Sequence, residues 1–372
     1  MVTELRFIVP AFLIGMIVSG VVSPLTARVA RRLGIVDRPE AASRGYKRHA
    51  GETPYLGGVA IAAGIGAGSL LVLLLADASK PTLLKLFVFG GVGAASLALL
   101  GLVDDVRSLP PIFRLLLEIG AATGAWALGF RVELAPWDLA DYFLTVAWIV
   151  GITNAFNLLD NMDGLSAGIA AVAGASFAAM GVLSGNPALA IVSAALCGAS
   201  LGFLLHNRHP AKLFMGDSDS LLLGFLLALI GVRLEFDNLL EVTFLVPVVV
   251  LGIPIFDTML VVAGRLSHGR AVFTGGRDHV SHRLVAIGLP VREAVRLLYW
   301  SGLCLGWLGI VITRSNVQVG WMLLGFVAAL GVFLGNLLWK VPVYDISPAA
   351  TTPVESVTPP PDRDEHPREA RR

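Results

Sequence analysis

The amino-acid sequence predicts an all-α, polytopic membrane protein that crosses the bilayer with about eleven helices. The chain of 372 residues is 55% hydrophobic and 15% charged, whereas soluble domains are roughly 25% charged. Its apolar residues fall into about eleven runs, most of them close to the ~20 residues that a transmembrane helix needs. Basic residues concentrate in alternate loops between these runs, as the positive-inside rule describes.

The apolar runs follow one another with short connections, so we expect one transmembrane domain over residues 1–340. The runs lie at residues 7–26, 56–76, 83–103, 112–130, 142–159, 165–184, 188–206, 219–233, 243–263, 295–313 and 318–339. Residues 341–372 are rich in Pro, Thr, Glu and Arg and cannot form a core, so we expect a disordered cytoplasmic tail.

The distribution of Lys and Arg predicts the orientation in the inner (plasma) membrane. The loop after the first run carries seven basic residues: Arg28, Arg31, Arg32, Arg38, Arg44, Lys47 and Arg48. Counting loops from there places the N-terminus outside and the C-terminus in the cytoplasm. The net charge of +1 gives no reason to expect a nucleic-acid partner.

The stretch NAFNLLDNMDGL, residues 154–165, is the strongest functional signal in the chain. Asn154, Asn157, Asp160 and Asp163 follow one another at three-residue steps between two apolar runs. An Asx-rich turn capping the next helix would account for one of these residues, but not for four at regular spacing. Charged groups at a membrane boundary usually mark a working site.

Further polar groups border the other apolar runs. The first loop ends with Arg48 and His49, and the third run ends with Asp104 and Asp105. On the following helix, Arg114 and Glu118 are four residues apart, so a structural ion pair between them is expected.

The second half of the chain adds Asp217, which either caps the next helix or binds a Mg²⁺–phosphate group. Phe214 lies just before it. Pro254 is expected to kink the ninth run, and the buried Asp257 needs a partner. The long basic loop that follows contains His279, His282 and Arg283; a zinc site there is a weak alternative to phosphate binding.

By the loop count, these acids and imidazoles all face the cytoplasm. This one-sided arrangement favours chemistry at the inner interface, where carboxylates hold Mg²⁺ and basic groups hold a diphosphate. The alternative is a polytopic transporter or flippase without covalent chemistry. That reading needs acidic residues near the middle of the bilayer.

In their order along the chain, these motifs resemble the polyprenyl-phosphate N-acetylhexosamine-1-phosphate transferases (glycosyltransferase family 4). The resemblance rests on Asp104-Asp105, the NxxNxxDxxDGL stretch, FMGD, PxxD and the histidine loop, and the first loop is most similar to the UDP-GlcNAc branch. It implies that undecaprenyl phosphate attacks the β-phosphate of a UDP-N-acetylhexosamine at the cytoplasmic face and releases UMP. It also implies membrane lipids as partners and leaves a homodimer open.

The resemblance also implies a role for each matched residue. Mg²⁺, or Mn²⁺ instead, is bound by Asp217 with Asp104 and Asp160. Asp104 and Asp105 lie near the lipid phosphate, and Asp104 is the candidate proton acceptor. The ligand-binding and catalytic set further includes Asn154, Asn157, Asp163, Phe214 against uracil, His279, His282 and Arg283 on the diphosphate, and Arg48 with His49.

Three positions depart from the family pattern. Asn161 replaces the first Gly of DGxDG, where we expect Asn to be tolerated because it accepts positive φ. Asp219 replaces the Gly of GDxGS, and Ser281 replaces a histidine of HxHH.

We favour UDP-GlcNAc as the sugar donor. The alternatives are another UDP-N-acetylhexosamine as donor, a phospho-N-acetylmuramoyl-pentapeptide transferase, and an inactive paralogue.

Overall fold

A computed structural model describes residues 6–37, 52–75, 81–107, 109–134, 136–234, 242, 244–273 and 275–344. Arg48 and His49, together with residues 345–372 of the tail expected over residues 341–372, lie outside the described residues. The orientation of the chain and the domain boundary therefore stay predictions.

The described part contains thirteen helices and two short strands. The helices are α1 (Ile8–Leu33), α2 (Gly57–Leu75), α3 (Pro81–Arg107), α4 (Pro111–Ala127), α5 (Asp138–Leu159), α6 (Leu165–Leu183), α7 (Pro187–Asn207), α8 (Asp217–Val232), α9 (Val246–Val250), α10 (Gly252–Ser267), α11 (Val280–Ala286), α12 (Val291–Arg314) and α13 (Val317–Trp339). The strands β1 (Val36–Asp37) and β2 (Thr53–Pro54) pair antiparallel, with Val36 opposite Pro54.

The prediction of a helical membrane protein is confirmed. The described residues form thirteen helices of all lengths, and the predicted number of eleven membrane-crossing helices is not confirmed. The ninth apolar run breaks at Leu251 into α9 and α10. Pro254 therefore lies in the first turn of α10, where a missing N–H costs no helical hydrogen bond, instead of kinking one long helix. The short helix α11 forms inside the basic loop.

Among the described residues, six helices are long and apolar enough to cross a membrane: α1, α5, α6, α7, α12 and α13. The chain is thus a multi-pass membrane protein. Helix α8 has 16 residues, which correspond to about 24 Å of helix and fall short of a ~30 Å hydrocarbon core.

Helix α8 lies at the centre of the bundle. Every residue from Ser218 to Gly231 is buried, and the helix packs against α2, α3, α5 and α6. From Leu221 to Val232 the helix is apolar on every face, and such a helix belongs in a core because no face of it suits water. Its N-terminus brings Asp217 to a point where the ends of α3 and α5 also arrive, and this point is the candidate active site.

Candidate active site

The segment before α8 packs closely against the end of α3. Gly216 has φ of 77°, and a Cβ there would lie 2.5 Å from Asp105 Oδ2. A Cβ on Gly101 would lie 2.4 Å from the backbone nitrogen of Ser218. Glycine at both positions therefore permits contact between the two elements. The backbone N–H of Asp217 donates to Asp105 Oδ1 at 2.9 Å.

Arg114 links this segment to α3 and α5. Its Nη1 lies 2.6 Å from Asp104 Oδ2 and 2.7 Å from Asp217 Oδ2, and its Nη2 donates to Asn157 Oδ1 at 3.0 Å. The predicted ion pair with Glu118 is not formed; Glu118 instead accepts a hydrogen bond from Asn154 Nδ2. Two carboxylates and one amide thus converge on a single positive charge.

Asn157 completes the cluster, whereas Asn154 belongs to another contact. The Nδ2 of Asn157 donates to Asp217 Oδ1 at 2.8 Å and to Ser220 Oγ at 3.0 Å. Asn154 donates to Val150 O and to Glu118, so it joins α5 to α4. Of the two asparagines predicted to bind ligand, the structure places only Asn157 beside Asp217.

Asp160 follows the last residue of α5, at the edge of the cluster. Burial, followed by the charges of Asp37, Asp105, Asp160 and Asp217, raises the pKa of Tyr55 above its ordinary range. Tyr55 lies within the motif that ends the first loop, but sequence reasoning did not select it. A phenol kept protonated beside carboxylates is suited to donating a hydrogen bond.

Asp163 points away from this group. Its Oδ2 lies 2.8 Å from His209 Nδ1 and accepts the N–H of Ala211 at 3.1 Å. Asp163 and His209 border a separate cavity of about 690 Å³ that is also lined by Arg208 and Arg292. The equal spacing of the four polar residues therefore did not place them in one site, because α5 ends before Asp160.

His279 and His282 form a second group at the start of α11. Asp257 Oδ2 lies 2.8 Å from His279 Nδ1, and Asp257 Oδ1 accepts the N–H of Val280 at 2.7 Å. This supplies the partner expected for Asp257 and leaves Nε2 of His279 for a ligand. Burial, followed by the electrostatic influence of the neighbouring His279 and Arg277, lowers the pKa of His282 to about 4. Within the described residues its buried Nε2 has no hydrogen-bond partner.

Two residues that were predicted to bind ligand, Arg283 and Phe214, are buried against other parts of the protein. Arg283 is 1% exposed, and its guanidinium donates to the backbone oxygens of Asp278 at 2.9 Å and Leu338 at 2.8 Å. It fastens α11 to the end of α13, so the diphosphate role is not supported. Phe214 is also 1% exposed and packs on Tyr55 with 5.8 Å between ring centroids, so its ring is closed to a base.

The donor chemistry of the cluster fits a divalent cation. Carboxylate oxygens are preferred ligands of Mg²⁺, and Asp104 and Asp217 already converge on a cation. Asp105 Oδ2 and both carboxylate oxygens of Asp219 are buried without a hydrogen-bond partner among the described residues. As arranged, no three such groups in the described part are close enough to hold an ion, since Arg114 lies between Asp104 and Asp217.

The fold and this geometry define a class: a helical membrane protein with carboxylates and imidazoles gathered where buried helices end. The sequence model of glycosyl transferase family 4 matches residues 87–235, which include Asp104, Asn157, Asp160 and Asp217. The probable undecaprenyl-phosphate N-acetylglucosaminyl 1-phosphate transferase of Bacillus subtilis is 31% identical over 336 residues, which are 88% of this chain and 90% of that protein.

Two further relatives show the same pattern. The decaprenyl-phosphate N-acetylglucosaminephosphotransferase of Mycolicibacterium smegmatis is 33% identical over 314 residues, covering 74% of this chain and 75% of that protein. The undecaprenyl-phosphate alpha-N-acetylglucosaminyl 1-phosphate transferase of Salmonella typhi is 28% identical over 319 residues, covering 81% and 82%. This chain belongs to glycosyl transferase family 4, which confirms the resemblance seen in its motifs.

Proposed function

We propose that this protein transfers N-acetylglucosamine-1-phosphate from UDP-GlcNAc to undecaprenyl phosphate and releases UMP. The names of its relatives support the acceptor and the sugar phosphate. The structural observation that carries the proposal is the convergence of Asp104, Asp217 and Asn157 on the Arg114 guanidinium at the N-terminus of α8. A phosphoryl-transfer site needs such a point, because its main task is to position and neutralise phosphate oxygens.

In the reaction, an oxygen of the lipid phosphate attacks the β-phosphorus of UDP-GlcNAc, and the bond between that phosphorus and the bridging oxygen of UMP breaks. Asp217 and Asp104, with Asp160, are the residues that would hold Mg²⁺, or Mn²⁺ in its place. The bound ion supplies positive charge to the diphosphate and the leaving UMP.

The protein residues orient the groups around this point. Asp105 fixes the start of α8 by accepting the N–H of Asp217. Asp104 would take the proton of the lipid phosphate when that phosphate arrives as a monoanion. Asp257 contacts Nδ1 of His279 and so fixes the ring, and Nε2 would then be the nitrogen that contacts an anionic group. Tyr55 offers a hydroxyl beside the carboxylates.

The orientation belongs to the same proposal. Eleven apolar runs with basic residues in alternate loops put the N-terminus outside and the C-terminus in the cytoplasm. The candidate site then faces the cytoplasm, where UDP-sugars are made, and lies at the inner leaflet, where a lipid phosphate can approach it.

The test is turnover by purified protein in detergent or nanodiscs, with labelled UDP-GlcNAc, undecaprenyl phosphate and Mg²⁺. We expect formation of a lipid-linked sugar diphosphate together with UMP. Asp217→Asn and Asp160→Asn should each lower turnover at least ~100-fold, because each removes a charge that acts on the transition state. Asp138→Asn, at the opposite end of α5, is the matched control and should remain active.

The alternatives give different results in the same assay. A panel of UDP-N-acetylhexosamines and UDP-MurNAc-pentapeptide would reveal another donor by its higher kcat/KM. A transporter or flippase would move solute or lipid across liposomes while the UDP-sugar stays intact. Normal turnover in both aspartate variants, or no turnover with any donor, would remove the proposal.

A further inference from the structure

Two of the three residues that depart from the family pattern, Asn161 and Ser281, contact each other. Asn161 lies in the turn between α5 and α6, and Ser281 lies in the first turn of α11, 120 residues further along the chain. The hydroxyl of Ser281 donates to Asn161 Oδ1 at 2.5 Å. Both residues are buried, with 8% and 1% of their surface exposed, so water does not replace this hydrogen bond.

The backbone at position 161 does not explain why asparagine is present. Among the described residues other than glycine, only Leu56 has a positive φ, so the turn does not use the tolerance of asparagine for a positive φ at position 161. The side chain is used instead: its Nδ2 donates to Leu158 O at 2.9 Å while its Oδ1 accepts from Ser281. Asn161 thereby connects the end of α5 to α11.

The two amino-acid replacements, Gly by Asn at position 161 and His by Ser at position 281, also compensate each other in size. A Gly–His pair and an Asn–Ser pair each carry about six non-hydrogen side-chain atoms, so the combined volume between the two segments is nearly conserved. A histidine at 281 facing Asn161 would be crowded, and a glycine at 161 facing Ser281 would leave a void. Neither amino-acid replacement fills the space between the two segments well without the other.

We propose that Asn161 and Ser281 act together as a positioning pair that docks the histidine segment on the turn next to Asp160. The neighbours of the pair show what it positions. Asp160 precedes Asn161 in the chain, and His279 and His282 flank Ser281 within three residues. His279 caps α11, His282 lies within α11, and their ring centroids are 6.1 Å apart. A tilt of α11 would therefore move both imidazoles relative to Asp160.

The experiment compares Asn161→Gly, Ser281→His and the double variant with the parent protein. Each single variant should lower kcat/KM for UDP-GlcNAc about tenfold or more, since displacements near 1 Å can cost that much. The double variant should recover to within about threefold of the parent, because contacting residues are not independent. Ser193→Ala, a buried serine of α7 with no hydrogen-bond partner among the described residues, is the control and should be neutral.

Amide hydrogen exchange of residues 278–286 gives a readout that does not need activity. Protection in this segment should fall in both single variants and return in the double variant. Ser281→Ala, which cannot clash, should also lose protection, and Ser281→Thr should keep more of it because the hydroxyl remains.

Two results would overturn the proposal. One is that the decreases in kcat/KM of the two single variants simply multiply in the double variant. The other is that amide hydrogen exchange of residues 278–286 is unchanged in all the variants. The kinetic measurement rests on the proposed function, whereas the hydrogen-exchange measurement does not. A parent protein that is inactive with UDP-GlcNAc but shows the rescue of protection would refute the proposed donor and leave the positioning pair standing.

Discussion

Arg114 supplies the positive charge on which Asp104 and Asp217 converge in the structure. A guanidinium and a divalent cation are attracted to the same carboxylates and repel each other. If the proposed Mg²⁺ site is built from these carboxylates, Arg114 must move aside when the ion binds. The arginine would then be free to contact a phosphate oxygen, for which its geometry is well suited.

Removing this competing charge should therefore strengthen metal binding. For Arg114→Gln we expect the affinity for Mn²⁺, used as a spectroscopic probe, to rise about tenfold, which corresponds to ~1.4 kcal/mol. Electron paramagnetic resonance of free Mn²⁺ in titrations of purified protein measures this directly. Arg131→Gln is the control, since its guanidinium lies over the Trp126 ring at 4.3 Å. Weaker binding in Arg114→Gln would mean that the arginine assists the ion.

His282 makes a prediction about acid stability. Its pKa falls from 6.5 to about 4 in the folded protein, chiefly because it is buried and next because His279 and Arg277 are nearby. Between these two values the unfolded chain takes up a proton that the folded protein does not. The contribution of His282 to stability should therefore be constant above pH 6.5 and should decrease as the pH falls toward 4, by up to about 3 kcal/mol.

The measurement is the thermal unfolding midpoint in detergent at a series of pH values, for the parent protein and for His282→Gln. Glutamine keeps a polar side chain of similar length but does not titrate. The variant should lose less stability between pH 6.5 and 4 than the parent does. Parallel pH profiles would show that His282 takes up its proton equally in the folded and unfolded states.

At the scale of elements, a buried ion pair organises the basic loop between α10 and α11. Arg265 is 2% exposed; its Nε lies 2.8 Å from Asp278 Oδ2 and its Nη2 lies 2.9 Å from Asp278 Oδ1. The hydroxyl of Tyr344 donates to Asp278 Oδ2 at 2.9 Å. The Arg265 charge and these hydrogen bonds outweigh burial and hold the pKa of Asp278 below its usual range.

Breaking this pair should destabilise the protein far more than breaking an exposed one. For Asp278→Asn we expect a loss of about 3–5 kcal/mol, because the Arg265 charge stays buried without its counterion. The control is Glu293→Gln, which removes an exposed pair with Arg296 and should cost at most about 1 kcal/mol. Unfolding midpoints of the two variants in the same detergent compare the costs, and similar midpoints would contradict the expectation.

The helices could be predicted from the sequence because hydropathy acts over stretches of about 20 residues. The site could be predicted only in part, since its contacts join distant segments. Arg114 bonds to residues 10, 43 and 103 positions away, whereas the local rule of four-residue spacing pointed to Glu118. The sequence motifs around Asp104 and Asp217 predicted that both residues are functional. That the two residues lie close together follows only from the packing of α3 against α8.

Side-chain direction was the other missing information. Asp163 and Arg283 belong to motifs that resemble the family pattern, yet they face His209 and the end of α13. Phe214 is buried beneath Tyr55, a neighbour that the sequence could not indicate. Residue type and order along the chain were therefore informative, while the partner of each residue depended on tertiary packing.

At the scale of the whole molecule, the proposed function depends on which face of the membrane the site occupies. Ile287 follows α11 near the histidine segment, and Ser315 follows α12 at its far end. Because α12 has 24 residues, about 36 Å of helix, these two positions should lie on opposite sides of the bilayer. Both are accessible enough to be modified with a thiol reagent when replaced by cysteine.

We expect Ser315→Cys to react with a membrane-impermeant maleimide in intact cells, and Ile287→Cys to react only after the membrane is permeabilised. The background should be Cys197→Ala with Cys304→Ala, so that only the introduced thiol is labelled. Basic residues in the loop that carries Ile287 favour its cytoplasmic location. The reverse pattern would put His279 and Asp217 outside, away from UDP-sugars, and the proposed reaction could not take place.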